Sequence, residues 1–316
     1  MSKNIIICCD GMGNQFSSSN TNIAEIYRLA ANNTKEQIAY YDPCVGKWGG
    51  NAGYALGYGL QTNIEDAYRY LMNNYLYGDK IFMFGFSRGA FTVRCLAGMI
   101  HKCGLLFKGN NNLVPYVSKI YNSSDNDTLT QDFKTTSAQE IPIHFIGVFD
   151  TVASLGWIYD YKNFFDDTIH TNVRYGYHAL AIDEKRNKFY PSLWDESEKA
   201  DSQTIEIKQV WFAGVHSDIG GNYPEDGLAK ITLKWMLEKA IACELLLANE
   251  DEHAKIPYEP AAPMHESFTW NWKPFGKKIR AIPENAIIHK SVFERKDNPK
   301  CNYNPSNIPP IYSIEN

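Results

Sequence analysis

Apolar positions along this chain fall into two rhythms. Short unbroken runs recur at Asn4-Ile5-Ile6-Ile7-Cys8-Cys9, Gln37-Ile38-Ala39-Tyr40-Tyr41, Lys80 to Phe86, Ile141 to Phe149 and Gln209 to Ala213. Runs this short, rich in β-branched and aromatic residues, predict strands buried on both faces. Between them apolar residues recur every three or four positions. Asn20-Thr21-Asn22 offers a cap for a helix from Ile23 to about Ala31, with Ile23, Ile26, Tyr27 and Ala30 on one face. A second helix is predicted over Thr62–Tyr77, a third from Ser87 to a stop near Gly104, and a long one over Leu228–Leu247. Strand and helix in alternation predict the α/β class: a mostly parallel central sheet with helices on both faces.

The remaining stretches carry weaker rhythms. Residues 45–59 hold six glycines, which suits a mobile loop or a close backbone approach. Residues 105–140 and 154–205 read as insertions covering a pocket; the second is dense in aromatics, each better explained by core packing than by substrate. From Pro257 onward prolines and aromatics predict an extended segment wrapping the domain. No repeat, low-complexity tract or linker divides the chain, so 1–316 is expected to be a single domain.

Composition narrows the function classes. With 44% hydrophobic and 21% charged residues, the chain can bury a substantial core. A net charge of −5 offers no broad basic surface, so no nucleic-acid partner is expected. Seven cysteines, an odd number without a CxxC pair, read as reduced buried thiols. The first apolar run is too short for a secretory signal, and no run approaches a membrane span. Synthesis in the cytoplasm is expected, with export by a route that needs no cleaved signal left open.

Chemistry concentrates where strands end. Gly85-Phe86-Ser87-Arg88-Gly89 follows an apolar strand and opens a helix. GxSxG in that setting matches a nucleophile elbow, where a sharp turn raises the serine hydroxyl above the sheet. The plain alternative is a glycine-rich turn with an incidental serine. Asp150 ends the strand at Phe149, where a triad acid would stand, although Asp is equally suited to cap a helix. His216 lies on the glycine-rich loop Gly214-Val215-His216-Ser217-Asp218-Ile219-Gly220-Gly221, after another strand. Asp10 opens the loop Asp10-Gly11-Met12-Gly13-Asn14, as an active-site loop or an ordinary Asx turn. Asp218 and Asp226 near His216 raise a metal site, but His-x-Asp lacks partners of matching spacing.

These segments together resemble a known family. Asp10-Gly11-Met12-Gly13-Asn14, Thr21-Asn22, Tyr41-Asp42-Pro43, Gly78-Asp79-Lys80, the Ser87 elbow, Gly147 to Val152 and Gly214 to Gly221 follow one another in the order of an uncharacterised α/β-hydrolase domain family. That family includes the phospholipase effectors of bacterial type VI secretion. His289-Lys290-Ser291-Val292 and Tyr303-Asn304-Pro305 also look like family sequence. Two positions depart from it: Met12 stands where the family commonly has Thr, and Cys44 where it has Gly.

The resemblance implies an α/β-hydrolase-like fold and a serine hydrolase cleaving carboxylic esters, with lipid or phospholipid acyl esters as substrates. Ser87 would be the nucleophile, His216 the base and Asp150 the orienting acid, in the chain order of α/β-hydrolases. The Arg88 N–H would supply one oxyanion donor, and Gly11 or Met12 a second. Asp10 and Asp218 would support these groups from behind. No cofactor or metal is expected. Partners implied are the ester or phospholipid substrate, a transient membrane-surface contact, and an immunity protein or secretion partner. Two other readings stand beside this one: a metal-dependent hydrolase using Asp10, Asp150, His216 and Asp218, and a non-catalytic binding protein on a hydrolase scaffold.

Overall fold

The computed structural model describes residues 2–11, 19–44, 55–123, 127–152, 172–195 and 204–316. In chain order, β1 (Asn4–Cys9), α1 (Asn22–Leu29), β2 (Gln37–Asp42), α2 (Ala55–Asn74), β3 (Lys80–Phe86) and α3 (Arg88–Cys103) alternate strand with helix. A short antiparallel pair, β4 (Leu105–Leu106) with β5 (Ala138–Gln139), brackets α4 (Val114–Tyr121) and α5 (Asp127–Ser137). Next come β6 (Ile143–Phe149), β7 (Val173–Ala181) and β8 (Glu206–Phe212), followed by α6 (His216–Gly220), α7 (Gly227–Ala242) and α8 (Glu250–Ala254). The tail adds β9 (Ala286–His289), α9 (Lys290–Asp297) and β10 (Tyr312–Glu315).

Eight strands form one sheet in the order β10-β9-β8-β7-β6-β3-β1-β2, with every neighbouring pair parallel. The two-residue period of a strand explains why each run is apolar throughout. Ile5, Ile7, Ile81 and Met83 face a layer built with α2, α3 and α4. Ile6, Cys8, Phe82 and Phe84 face the opposite layer, built with α1 and α7. The fold is α/β-hydrolase-like, with helices on both faces.

Strand order places the site. From β1 the chain goes to β2 on one side and returns with β3 on the other. Such a reversal leaves a crevice beyond the carboxyl ends of the two strands, where open α/β sheets take ligands. β1 delivers Asp10 to that crevice, and β3 delivers Ser87.

Several elements differ from the sequence expectations. Helix α2 begins at Ala55, inside the glycine-rich stretch whose residues 45–54 lie outside those described. The helix expected to reach Leu247 stops at Ala242, and Glu244 turns the chain with φ 75°. Within 154–205, residues 173–181 form β7, an interior strand of the sheet. His178 and Tyr175 break its apolar rhythm. The His178 Nε2 accepts the Thr151 N–H at 3.1 Å, and its Nδ1 meets Gln209 Oε1 at 3.3 Å, so a polar side chain sits satisfied in the core. The tail wraps the domain as expected, and it also extends the sheet through β9 and β10. None of the seven cysteines forms a disulfide. No helix among the described residues is long and apolar enough to cross a membrane.

Burial holds His178 neutral, pushing its pKa down to about 3, and does the same to His289, at about 4. Both imidazoles gain a proton on unfolding at mildly acidic pH, so the unfolded chain binds more protons there. Stability should therefore be intact above pH 6.5 and fall as pH drops toward 4, by up to about 1.4 kcal/mol per pH unit for each histidine. Denaturant titrations between pH 7 and 4.5 measure that slope, and His178→Phe should reduce it.

Candidate active site

Ser87 occupies the turn between β3 and α3 with φ 57° and ψ −117°, a conformation that side chains rarely adopt. The turn is held from outside: the Ser87 N–H donates to the Phe149 carbonyl at 3.0 Å. Its neighbours must be small. A Cβ on Gly89 would sit 2.0 Å from the Cys9 carbonyl oxygen, and one on Gly85 would sit 2.5 Å from the Ala90 Cα. The start of α3 is thus pressed against the end of β1, which brings the serine and the first loop together.

Three side chains from three strand ends meet at this turn. His216, at the first position of α6, has its Nε2 2.9 Å from Ser87 Oγ. Its Nδ1 lies 2.6 Å from Asp150 Oδ2. All three residues are buried, with Ser87 keeping 8% exposure. Phe86 and Phe189 pack on the imidazole with centroid distances of 4.7 and 4.9 Å. From below, the His216 N–H donates to Glu184 Oε2 at 3.2 Å. The ring is therefore fixed in position as well as hydrogen-bonded at both nitrogens.

Asp150 turns its carboxylate to groups on other elements. It adopts φ 41°, and its Oδ1 accepts the Ala181 N–H at 2.9 Å. Arg280 grips the same carboxylate with both terminal nitrogens, NH1 to Oδ1 at 2.6 Å and NH2 to Oδ2 at 2.8 Å. Burial alone would raise the carboxyl's pKa. The Arg280 charge and fork, together with the His216 contact, outweigh it and hold Asp150 well below the usual carboxylate range. Arg280 is itself anchored by the carbonyls of Ala181 (2.8 Å) and Phe189 (2.7 Å).

Asp10 organises the neighbouring loop. Its Oδ2 accepts from Thr21 Oγ1 at 2.6 Å and from the Tyr41 hydroxyl at 2.7 Å, and its Oδ1 accepts the Gly11 N–H at 2.6 Å. Gly11's amide, one of the expected oxyanion donors, is thus engaged by Asp10. Met12, the other candidate, lies outside the described residues. Arg88 opens α3, and the first amides of a helix have no partner within it. Cys44 adopts φ 51°, in the left-handed region that favours glycine.

Asp218 supports the histidine loop. Its Oδ2 accepts the N–H of Val215 at 3.0 Å, and its Oδ1 lies 2.6 Å from His265 Nδ1. Asp10, Asp218 and Asp150 are thus bound up with separate partners. Among the described residues no three His, Cys, Asp or Glu side chains are grouped to hold a metal ion. Three contributors escaped the sequence reading. Arg280 sits in a tail without periodicity, Glu184 follows β7, and His178 is inside that strand. Glu184 is held ionised: burial opposes this, and the Arg186 ion pair at 2.8 Å overcomes it. A polar residue between apolar ones, as at His178 and Arg280, was the available signal and does not name the partner, and Glu184, between Asp183 and Lys185, lacked even that.

Residues 3–239 match the family described as type VI secretion phospholipase effector Tle1-like, catalytic domain. The chain belongs to that family. The Tle1-like match covers Ser87, Asp150 and His216, while Arg280 falls beyond it. The uncharacterized protein YEL023C of Saccharomyces cerevisiae is 37% identical over 219 residues, covering 59% of this chain and 32% of that protein. This chain therefore spans about a third of the length of that relative. A crystal structure of an uncharacterized protein from Pseudomonas aeruginosa is similar with a TM-score of 0.45 and 17% identity, covering 81% of this chain and 48% of that one.

Removing one member of a buried ion pair leaves the other charge uncompensated, at a cost on the order of 3–5 kcal/mol. Arg280→Leu should lose stability on that scale in chemical denaturation. Arg280→Lys should lose less, because it keeps the charge without the two-pronged geometry. Wild-type stability in Arg280→Leu would show that the pair contributes nothing to the fold.

Proposed function

We propose that this Tle1-like domain is a serine esterase that cleaves phospholipid acyl esters through an acyl-enzyme. The reading rests on one observation above all: the unbroken line Ser87 Oγ, His216, Asp150, with contacts of 2.9 and 2.6 Å. Ser87 attacks the ester carbonyl while His216 Nε2 takes its proton. Asp150 keeps the Nδ1 proton in place and stabilises the imidazolium that forms. The tetrahedral oxyanion receives the Arg88 N–H at the start of α3, where the helix dipole also favours negative charge. Collapse of the intermediate breaks the ester C–O bond, and His216 protonates the departing lysophospholipid alcohol. Water, deprotonated by His216, then releases the fatty acid and restores Ser87.

Family membership supports the lipid as substrate, and the aromatic residues beside His216 suit an apolar acyl group. As a secretion effector, the protein would also meet a secretion partner or an immunity protein. Asp10 and Asp218 act at one remove, by shaping the loops that carry Gly11 and His216.

Two measurements test this reading. Ser87→Ala should lower kcat on short acyl esters, lysophospholipids and diacyl phospholipids by a factor on the order of 10⁴ or more, without changing the melting temperature by more than a few degrees. Full activity in that variant would contradict the assignment. In Arg280→Lys the acid limb of the pH–rate profile should move to higher pH. His216 must be unprotonated to act as base, and a carboxylate gripped less tightly turns more of its negative charge on the imidazole.

A further inference from the structure

Two stretches of chain meet at the mouth of this site. Residues 270–275 form a 3₁₀ turn, and the strand-like segment after it pairs with residues 185–187: the Lys278 N–H donates to the Lys185 carbonyl at 2.8 Å, and the Asn187 N–H to the Gly276 carbonyl at 3.2 Å. Aromatic contacts lead inward from there. Trp272 packs edge-on against Phe189 at 5.2 Å, and Phe189 against His216 at 4.9 Å. Two residues after Lys278, Arg280 turns inside to grip Asp150.

The outer side of the same strap has a different chemistry. Trp270 is 77% exposed and Ile279 56% exposed. Lys273, Lys277 and Lys278 are exposed on the strap, and Lys185 on the paired stretch is half-buried. Glu184 and Arg280 are buried in their own ion pairs. Residues 270–279 hold those three lysines and no acidic residue, and the nearby Glu266 lies 3.3 Å from Lys185. A chain with net charge −5 therefore carries three positive charges in one short strap around an exposed tryptophan. Lys273 lies 5.4 Å from the Trp270 ring, and Lys278 lies 3.7 Å from that of Tyr190.

We propose that this strap, led by Trp270 and Ile279 and ringed by Lys273, Lys277 and Lys278, docks the protein on an anionic phospholipid bilayer. The proposal rests on phospholipid being the substrate. An indole settles at the headgroup boundary, an aliphatic side chain enters the acyl region, and lysines reach anionic headgroups while their stems stay in apolar surroundings. Each lysine near such a surface adds attraction that salt weakens. Docking through this face would present acyl esters beside Phe189 and Ser87. Basic and aromatic residues together also suit single-stranded nucleic acid. The exposed Ile279 and the position at the mouth of an esterase site favour the bilayer.

The test uses the full chain carrying Ser87→Ala, so that vesicles stay intact, with cosedimentation on phosphatidylcholine vesicles with and without one quarter phosphatidylglycerol. Binding should require phosphatidylglycerol and weaken with added salt. Trp270→Ala and, separately, Lys273→Glu/Lys277→Glu should each reduce it about tenfold or more. The same substitutions with Ser87 present should leave hydrolysis of a soluble butyrate ester within about twofold, which ties the loss to docking and not to folding or chemistry. Equal binding to both vesicle types, undiminished binding in the variants, or binding to a single-stranded oligonucleotide in place of vesicles would overturn the proposal. Vesicle binding as described, in a wild-type protein inert toward every ester, would instead overturn the esterase reading and leave the docking face standing.

Discussion

The site depends on one buried carboxylate. Asp150 accepts from Ala181, from both prongs of Arg280 and from His216, in a place without solvent. A charge there is costly unless it is fully paired, and Arg280 supplies the pairing. The fork also uses lone pairs that could otherwise turn the carboxylate away from His216. The fold converges on this contact. Strand β6 delivers the acid, β7 supplies Ala181, and the tail supplies the arginine. Asn307 donates to the Arg280 carbonyl at 3.1 Å, which holds that tail segment in place.

A second constraint lies at the chain reversal between β1 and β3. The Ser87 turn needs α3 to start hard against the end of β1, and only glycine at position 89 leaves room. Asp10 then ties that end to β2 through Tyr41 and to α1 through Thr21. Asn22 carries the link onward, donating to the carbonyls of Ile219 and Ala229 at 2.9 and 3.0 Å. The loop with the serine and the helix with the histidine thus share one scaffold. Thr21-Asn22 and Tyr41-Asp42-Pro43 have their physical reason in these bonds.

Much of this was legible in the chain itself, for definable reasons. Strands buried on both faces leave continuous apolar runs, so β1, β3, β6 and β8 stood out, and their ends pointed to Asp10, Ser87, Asp150 and His216. Strand β7 did not stand out, because a core histidine bonded to Thr151 and Gln209 looks polar in sequence. The strands β9 and β10 are only four residues each, too short to show a period. Arg280 was hidden for another reason: the fork on Asp150 joins residues 130 positions apart, and no local pattern encodes such a contact. The lysines of the docking strap were likewise masked by the acidic total, since charge balance over a whole chain says nothing about where the charges meet.

The central claim is that Ser87 is a nucleophile activated by His216 and Asp150. A fluorophosphonate probe reads this directly, because it reacts with activated serines and leaves a covalent mark. Labelling followed by peptide mapping should place a single adduct on Ser87, at a rate that falls steeply in Asp150→Asn and His216→Gln. An adduct elsewhere, or none on folded wild-type protein, would contradict the account.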